Sequence, residues 1–414
     1  MTDENTTVPA RPRGGLLRYV VAATLARTAD GGAVVAIVLL VTASGDPGWL
    51  AGALGACITA PHLLGPFVAR SLDTTRDGRR VIALASVVHG ATLAAAVLLY
   101  PSTHAIVPAA LLIASGLLGP LLTGGISSRL PAIAGPSRTS QRRAQGWDVA
   151  TYGVGGTVGP TIVAAVSAWA SPHTSALVLT LGTFIAAGFV MLLPYSPPAS
   201  DARDVPRPAR TLVVMFSSGP LRRTLYLTMI VAFSVAALPI AAVASTDQLG
   251  TDDAAAGVLT AAYGLGNLAG SIGVMARPLE GNADQLMTRL ATLVATTLLA
   301  VALAPSFSLA TAAYAAAGIA NGYFFAATLA ARNEYAPSEI RGQVFVWTGA
   351  LKITAGSTGT ALTGAIVGTA VHLPLVLAIA LTTAAALTSA SERRFVTRQV
   401  RAADHVQPGT VRRD

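Results

Sequence analysis

The sequence predicts an all-α membrane protein of twelve transmembrane helices arranged as two six-helix repeats. Three observations predict it. Only 11% of the 414 residues are charged and 53% are apolar, against about 25% charged in soluble domains; the mean hydropathy is +0.60. Twelve apolar segments can be drawn, most near the ~20 residues that a helix needs to cross a bilayer. All but two of the 28 basic residues fall on one side of the resulting topology.

Span 1 covers residues 16–41, LLRYVVAATLARTADGGAVVAIVLLV. It carries Arg27, Asp30 and the pair Gly31-Gly32 near its middle. A charge at bilayer depth is expensive, so it implies a partner or a solvated cavity. The i, i+3 spacing lets Arg27 and Asp30 share a face and pair locally. Two readings follow: the charges neutralise each other or anchor span 1 against span 5, or Asp30 titrates in a cavity. The polar residues 1–15 precede this run, which is too long for a signal-peptide core and lacks a clear cleavage site. Span 1 is therefore expected to be retained, behind a short cytoplasmic tail.

The remaining spans are 48–70, 81–100, 105–128, 147–170, 174–194, 224–245, 254–276, 286–305, 308–331, 343–369 and 373–391. Arginines cluster before span 1, in every second connection, and after span 12; the intervening connections hold none. By the positive-inside rule this puts both termini in the cytoplasm. It also accounts for the net charge of +9 without nucleic acid as a partner. The connection 195–223 is Pro-rich and charged and reads as a linker, with TLVVMFSS as a candidate interfacial helix. The expected units are thus bundles over 16–194 and 224–391, with a tail over 392–414. The halves echo each other: GGISSRLPAIAGPSRTSQRRAQGW follows span 4 and FAATLAARNEYAPSEIRGQVFVW follows span 10. Each runs from small residues through Arg and Pro to Gln and Trp, as an internal repeat would. Cys57 is the only cysteine and sits in an apolar run, so it is expected to pack.

At this point the chain resembles the major facilitator superfamily over essentially its whole length. GPFVARSLDTTRDGRRVIAL after span 2 resembles the family's loop motif through Gly65, Leu72, Asp73, Gly78, Arg79 and Arg80. The spacing leaves open whether Asp73 or Asp77 is the motif acid; either can meet arginines and a helix end when the halves approach. In span 5, YGVGGTVGPTIV resembles the motif of efflux-type members, with Gly155, Gly159 and Pro160. Glycines at i and i+4 make a flat contact face, and the proline prevents a straight helix. The segment 332–344 resembles the family's loop between spans 10 and 11. Span 4 lacks the arginine that many proton-coupled drug exporters carry.

The resemblance implies a monomeric secondary transporter of the bacterial plasma membrane. It would work by alternating access, exporting small amphipathic molecules in antiport with protons and needing no cofactor. An importer or facilitator is the alternative, and a non-transporting receptor a further one. No phosphate-binding Gly-rich loop is present, and the six histidines lack metal-ligand spacing, which argues against a nucleotide-driven pump, a metal site or a membrane enzyme.

Arg27, Asp30 and Lys352 stand out as charges deep in spans. Asp30 lies ~21 Å and Lys352 ~14 Å along their helices at the helical rise, near the midplane where transporter sites cluster. Lys352 has no acid nearby in sequence and is expected to face substrate. Polar candidates beside them are His62, His89, Tyr152, Tyr263, Asn267, Asn321 and Tyr323. In the family spans 1, 4, 7 and 10 line the cavity, which favours Asn321.

Overall fold

The computed structural model describes residues 14–198, 201–252 and 255–406. Residues 1–13 and 407–414 of the two expected tails lie outside the described residues. Every regular element among those described is helical. The first half holds α1 (Gly15–Ala43), α2 (Gly48–Thr74), α3 (Gly78–Leu99), α4 (Ile106–Ala134), α5 (Arg138–Trp169) and α6 (Pro172–Met191). A linker helix follows, Pro208–Ser217. The second half holds α7 (Gly219–Ala244), α8 (Ala255–Ala276) and α9 (Ala283–Ala302), then α10 (Phe307–Tyr335), α11 (Arg341–Ile366) and α12 (Leu373–Val406).

Ten of these helices are long and apolar enough to cross a membrane. The other two, α10 and α11, are 29 and 26 residues long but are interrupted by Asn321, Arg332, Asn333 and Glu334, and by Arg341, Gln343 and Lys352. Several helices begin earlier or end later than the apolar runs. The greatest difference is in α5, which starts at Arg138 rather than 147, and in α12, which continues to Val406.

Local chemistry explains the ends and breaks. Asp77, Ser137, Ser171 and Asn282 cap α3, α5, α6 and α9 by accepting backbone N–H bonds at 3.0–3.2 Å, which satisfies donors that a helix start leaves free. Gly135 closes α4 at φ +87°, where a side chain would be strained. Proline removes a donor and crowds the preceding turn, and three helices change pitch there. Pro61 opens a tight turn over Ala60–Leu64 inside α2, Pro120 precedes a wide turn over Leu121–Gly125 in α4, and Pro239 lies just beyond a break in α7.

The helices alternate in direction, so the arginine-bearing ends gather at one end of the bundle. Contacts there tie helix ends together: Arg79 of α3 to Leu193 O at 2.7 Å, Arg129 of α4 to Leu72 O at 3.1 Å, and Arg223 of α7 to Asp284 of α9 at 2.8 Å. The linker docks across the same end. Arg70 donates to Val205 O at 3.0 Å, Trp347 to Pro208 O at 3.1 Å and Gln343 to Pro206 O at 3.2 Å. Its helix buries Thr211 and Met215 and exposes Val213 and Phe216.

Candidate functional site

The two halves meet at the arginine-rich end. Asp73, at the end of α2, accepts the backbone N–H of Gly342 and of Gln343 at the start of α11, both at 2.9 Å. A carboxylate at a helix N-terminus meets free donors and the positive end of the helix dipole. Asp73, not Asp77, is therefore the acid that reaches across. Asp77 stays within its own half, 2.9 Å from Arg79, whose hydrogen bonds hold its carboxyl below the usual carboxylate range. On the other flank Arg138 and Arg142 of α5 grip Glu334 of α10 at 3.0 and 2.6 Å. Arg80 is exposed, 3.9 Å from Asp77. Gly65 lies against the ring of Pro120, with no space for a side chain, and Gly78 lies against the end of the flexible Arg129 side chain.

Away from this end the halves diverge around a cleft of about 850 Å³. It is bounded by α5 at Gly153–Val158, α7 at Pro239 and Val243, and α8 at Ala256–Leu268. The residues on α7 and α8 lie in the parts of those helices far from the arginines.

At the same level of α5, α1 and α5 cross almost backbone to backbone. A Cβ at Gly155 would lie 2.7 Å from the Cβ of Arg27, and one at Gly159 would strike Thr28 O. This approach places Arg27 beside α5, where it anchors span 1 against span 5 rather than pairing with Asp30. Arg27 binds Asp148 Oδ1 at 2.6 Å. It also donates to Thr151, to Ser127 Oγ at 2.8 Å and to Thr123 O at 3.2 Å. Its guanidinium stacks 3.5 Å from the centre of the Tyr152 ring. Tyr19 donates to the same Asp148 oxygen at 2.6 Å. Arg27 is 3% exposed and Asp148 is fully buried.

Asp30 turns instead to α2, with Oδ1 3.5 Å from Nε2 of His62. His62 sits in the turn that follows Pro61, and its Nδ1 lies 2.9 Å from Ile58 O. A carbonyl only accepts, so Nδ1 carries a hydrogen. Nε2 and Asp30 then face each other favourably only with a proton between them, on the ring or on the carboxyl. His89 is buried elsewhere, held by Ser115 of α4 at 2.9–3.1 Å.

In the second half Lys352 of α11 and Asn321 of α10 line one cavity of about 280 Å³ together with Tyr263, Thr228 and Phe325. Lys352 Nζ lies 3.7 Å from the centre of the Phe325 ring and 5.4 Å from that of Tyr152. Those two rings meet edge to face at 4.9 Å, one from each half. Arg332 of α10 lies 6.0 Å from the Phe325 ring and 5.8 Å from that of Phe345. Arg27, Tyr152, Phe325, Lys352 and Arg332 thus form one cluster across the crossing. Asp30 and His62 stand apart from it in the first half. Asn267 and Tyr323 pack at the α8–α10 crossing, against Gly322 and Gly273.

No protein-family model matches the sequence, and no curated protein matches it. Solved structures do. The human organic anion transporter MFSD10 superposes with a TM-score of 0.71 at 14% identity, over 92% of this chain and 100% of that one. The proton:xylose symporter XylE, of the major facilitator superfamily, gives 0.67 at 13% identity over 90% and 95%. A bacterial homologue of the iron transporter ferroportin, in an outward-facing state, gives 0.67 at 14% over 90% and 97%. The chain has the major facilitator fold.

Two participants escape the sequence reading. Asp148 stands at the edge of the apolar run of span 5, yet lies about 15 Å into α5 by the helical rise. Arg332 counts with the loop arginines but is 1% exposed. The available signal for Asp148 is that an acid stands among arginines at that end.

Proposed function

We propose that the chain is a secondary active transporter of the bacterial plasma membrane that exports small amphipathic molecules in exchange for protons. It acts as a monomer with both termini in the cytoplasm. The observation that carries this reading is a major facilitator fold whose halves are tied at the arginine-rich end by Asp73 on α11 and Glu334 on α5, with a cleft bounded by α5, α7 and α8 away from that end. In alternating access the halves rock about a midplane site; here the sealed, arginine-rich end is the cytoplasmic one and the state is outward-facing. The neighbours carry a sugar, iron and organic anions by name, so the fold alone does not choose a cargo.

The Asp30–His62 pair is the proton-coupling element. It holds one proton between the buried His62 and the half-buried Asp30 of the first half, on helices α2 and α1. Rocking of the halves that admits water to α1 and α2 changes the cost of keeping that proton. The Gly155–Gly159 face lets α5 move with α1 as one body.

Right-side-in proteoliposomes with an imposed pH gradient test the reading. Fluorescent amphipathic cargo is expected to move against protons, and Asp30→Asn to abolish gradient-driven movement while leaving exchange of cargo across a null gradient. Gradient-driven flux at the wild-type rate in Asp30→Asn refutes the coupling role. Movement of cargo in the same direction as protons favours import.

A further inference from the structure

We propose that the carried molecule is an organic anion with an apolar or aromatic body, and that Lys352 receives its acidic group. The inference rests on the transport reading above.

The charges at the crossing do not balance. Arg27, Arg332 and Lys352 are three cations, and Asp148 is the carboxylate among them. Arg27 takes it, with hydroxyls and a carbonyl completing its shell. Among the described residues no carboxylate lies within ion-pairing distance of Arg332 or Lys352. Arg332 reaches one hydroxyl, Thr328 at 3.4 Å, and its Nε is buried without a hydrogen-bond partner. Lys352 has ring faces: Phe325 at 3.7 Å and Tyr152 at 5.4 Å. A ring face returns part of what burial of a cation costs, and less than a carboxylate does. One buried and one half-buried cation, neither with a carboxylate partner among the described residues, at this depth in their helices point to an anion that arrives from outside the chain.

The cavity beside Lys352 shapes that anion. Its walls include Val235, Phe324, Phe325 and Ile353, with Asn321 and Tyr263 as neutral polar groups. No acidic residue lines it. A carboxylate, sulfonate or phosphate on an apolar frame places its charge on Lys352 and its body among the rings. An amine of the same shape meets Lys352 and, behind it, Arg332. Asp30 of the first half faces His62 and offers no counter-charge here.

The test uses the full chain in nanodiscs and three probes on one frame: 2-naphthoate, 2-naphthamide and 2-(aminomethyl)naphthalene. Binding is read by thermal shift and by calorimetry, neither of which requires transport. The naphthoate is expected to raise the melting temperature and to bind about tenfold more tightly than the amide, the range for a hydrogen bond to a charged group. Lys352→Gln is expected to reduce naphthoate binding to the amide's level, and Lys352→Arg to retain most of it. If Lys352→Gln does not fold, the probe ranking on the wild type and on Lys352→Arg decides. Equal binding of the three probes, preference for the amine, binding of none, or undiminished naphthoate affinity in folded Lys352→Gln overturns the inference. Flux is scored separately in proteoliposomes. Transport of cations alone overturns this inference and leaves the transport reading standing. Charge-selective binding without flux of any cargo overturns the transport reading and leaves Lys352 as an anion site.

Discussion

Asp73→Ala opens the sealed end. The carboxylate accepts two backbone N–H bonds at 2.9 Å from the first turn of α11. Hydrogen bonds to a charged group contribute about 1.5–3 kcal/mol each. Water replaces them when the halves part, so the lower figure applies and the pair favours the closed end by about 3 kcal/mol. At 1.4 kcal/mol per decade this is roughly a hundredfold shift of the closed-to-open ratio. Arg138–Glu334, with Arg138 58% exposed, adds only about 0.2–1 kcal/mol; Arg142–Glu334, with Arg142 buried, is present in wild type and in Asp73→Ala alike, so it sets the starting ratio and leaves the shift between them unchanged. The measurement is a distance distribution between spin labels at Arg76 and Ser338, exposed positions on opposite halves at this end, in a Cys57→Ser background. A long-distance population is expected to appear in Asp73→Ala. Asp77→Ala is the internal control: it removes a helix cap, worth about 1 kcal/mol, within one half, and should leave the distribution as in wild type. An unchanged distribution in Asp73→Ala, or an equal change in Asp77→Ala, refutes the assignment of the gate to Asp73.

Two other expectations concern the crossing of α1 and α5. Asp148→Asn leaves Arg27 buried without its carboxylate and is expected to destabilise by about 3–5 kcal/mol, read as a large fall in melting temperature in detergent; Arg27→Met with Asp148→Leu should restore much of the loss, and equal melting of wild type and Asp148→Asn would refute the pairing. Gly159→Val drives a side chain into Thr28 O and the Gly32 N–H, so it should prevent a folded yield, whereas Gly156→Ala, with open space around it, should express and melt like wild type.

The topology is legible because lipid tolerates neither arginine nor an unpaired backbone group. The arginine pattern therefore marks one end of every helix, and Asp284, Glu334 and Glu392 join it there as partners of Arg223, Arg142 and Arg222. The partner of Arg27 is not legible in the same way. Apolar runs locate the lipid-facing parts of helices, while α5 and α10 continue as buried helix past those runs, because the two halves cover each other's polar ends. Asp148 and Arg332 lie in those continuations and read as span ends. Helix spacing alone pairs Arg27 with Asp30; the glycine face of α5 brings a better-placed carboxylate and frees Asp30 for His62. Lys352 and Asn321 are legible as polar positions within apolar runs, but that they share a cavity follows only from how α10 and α11 pack.

The same two helices carry the cation cluster and the gate. On α10, Arg332 stands two residues from Glu334, which Arg138 and Arg142 hold. On α11, Lys352 stands ten residues, about 15 Å by the helical rise, from the N–H groups that Asp73 binds. A ligand shifts an equilibrium only through contacts that differ between the two states. An anion that neutralises Lys352 and Arg332 removes their mutual repulsion and lets α10 and α11 approach each other and the Tyr152 ring of α5. Any such movement is passed along rigid helices to Glu334 and to the Gly342 and Gln343 amides. Loading the site therefore acts on the gate without a separate relay, and the spin-label distances at Arg76 and Ser338 should change with 2-naphthoate in wild type and not in Lys352→Gln.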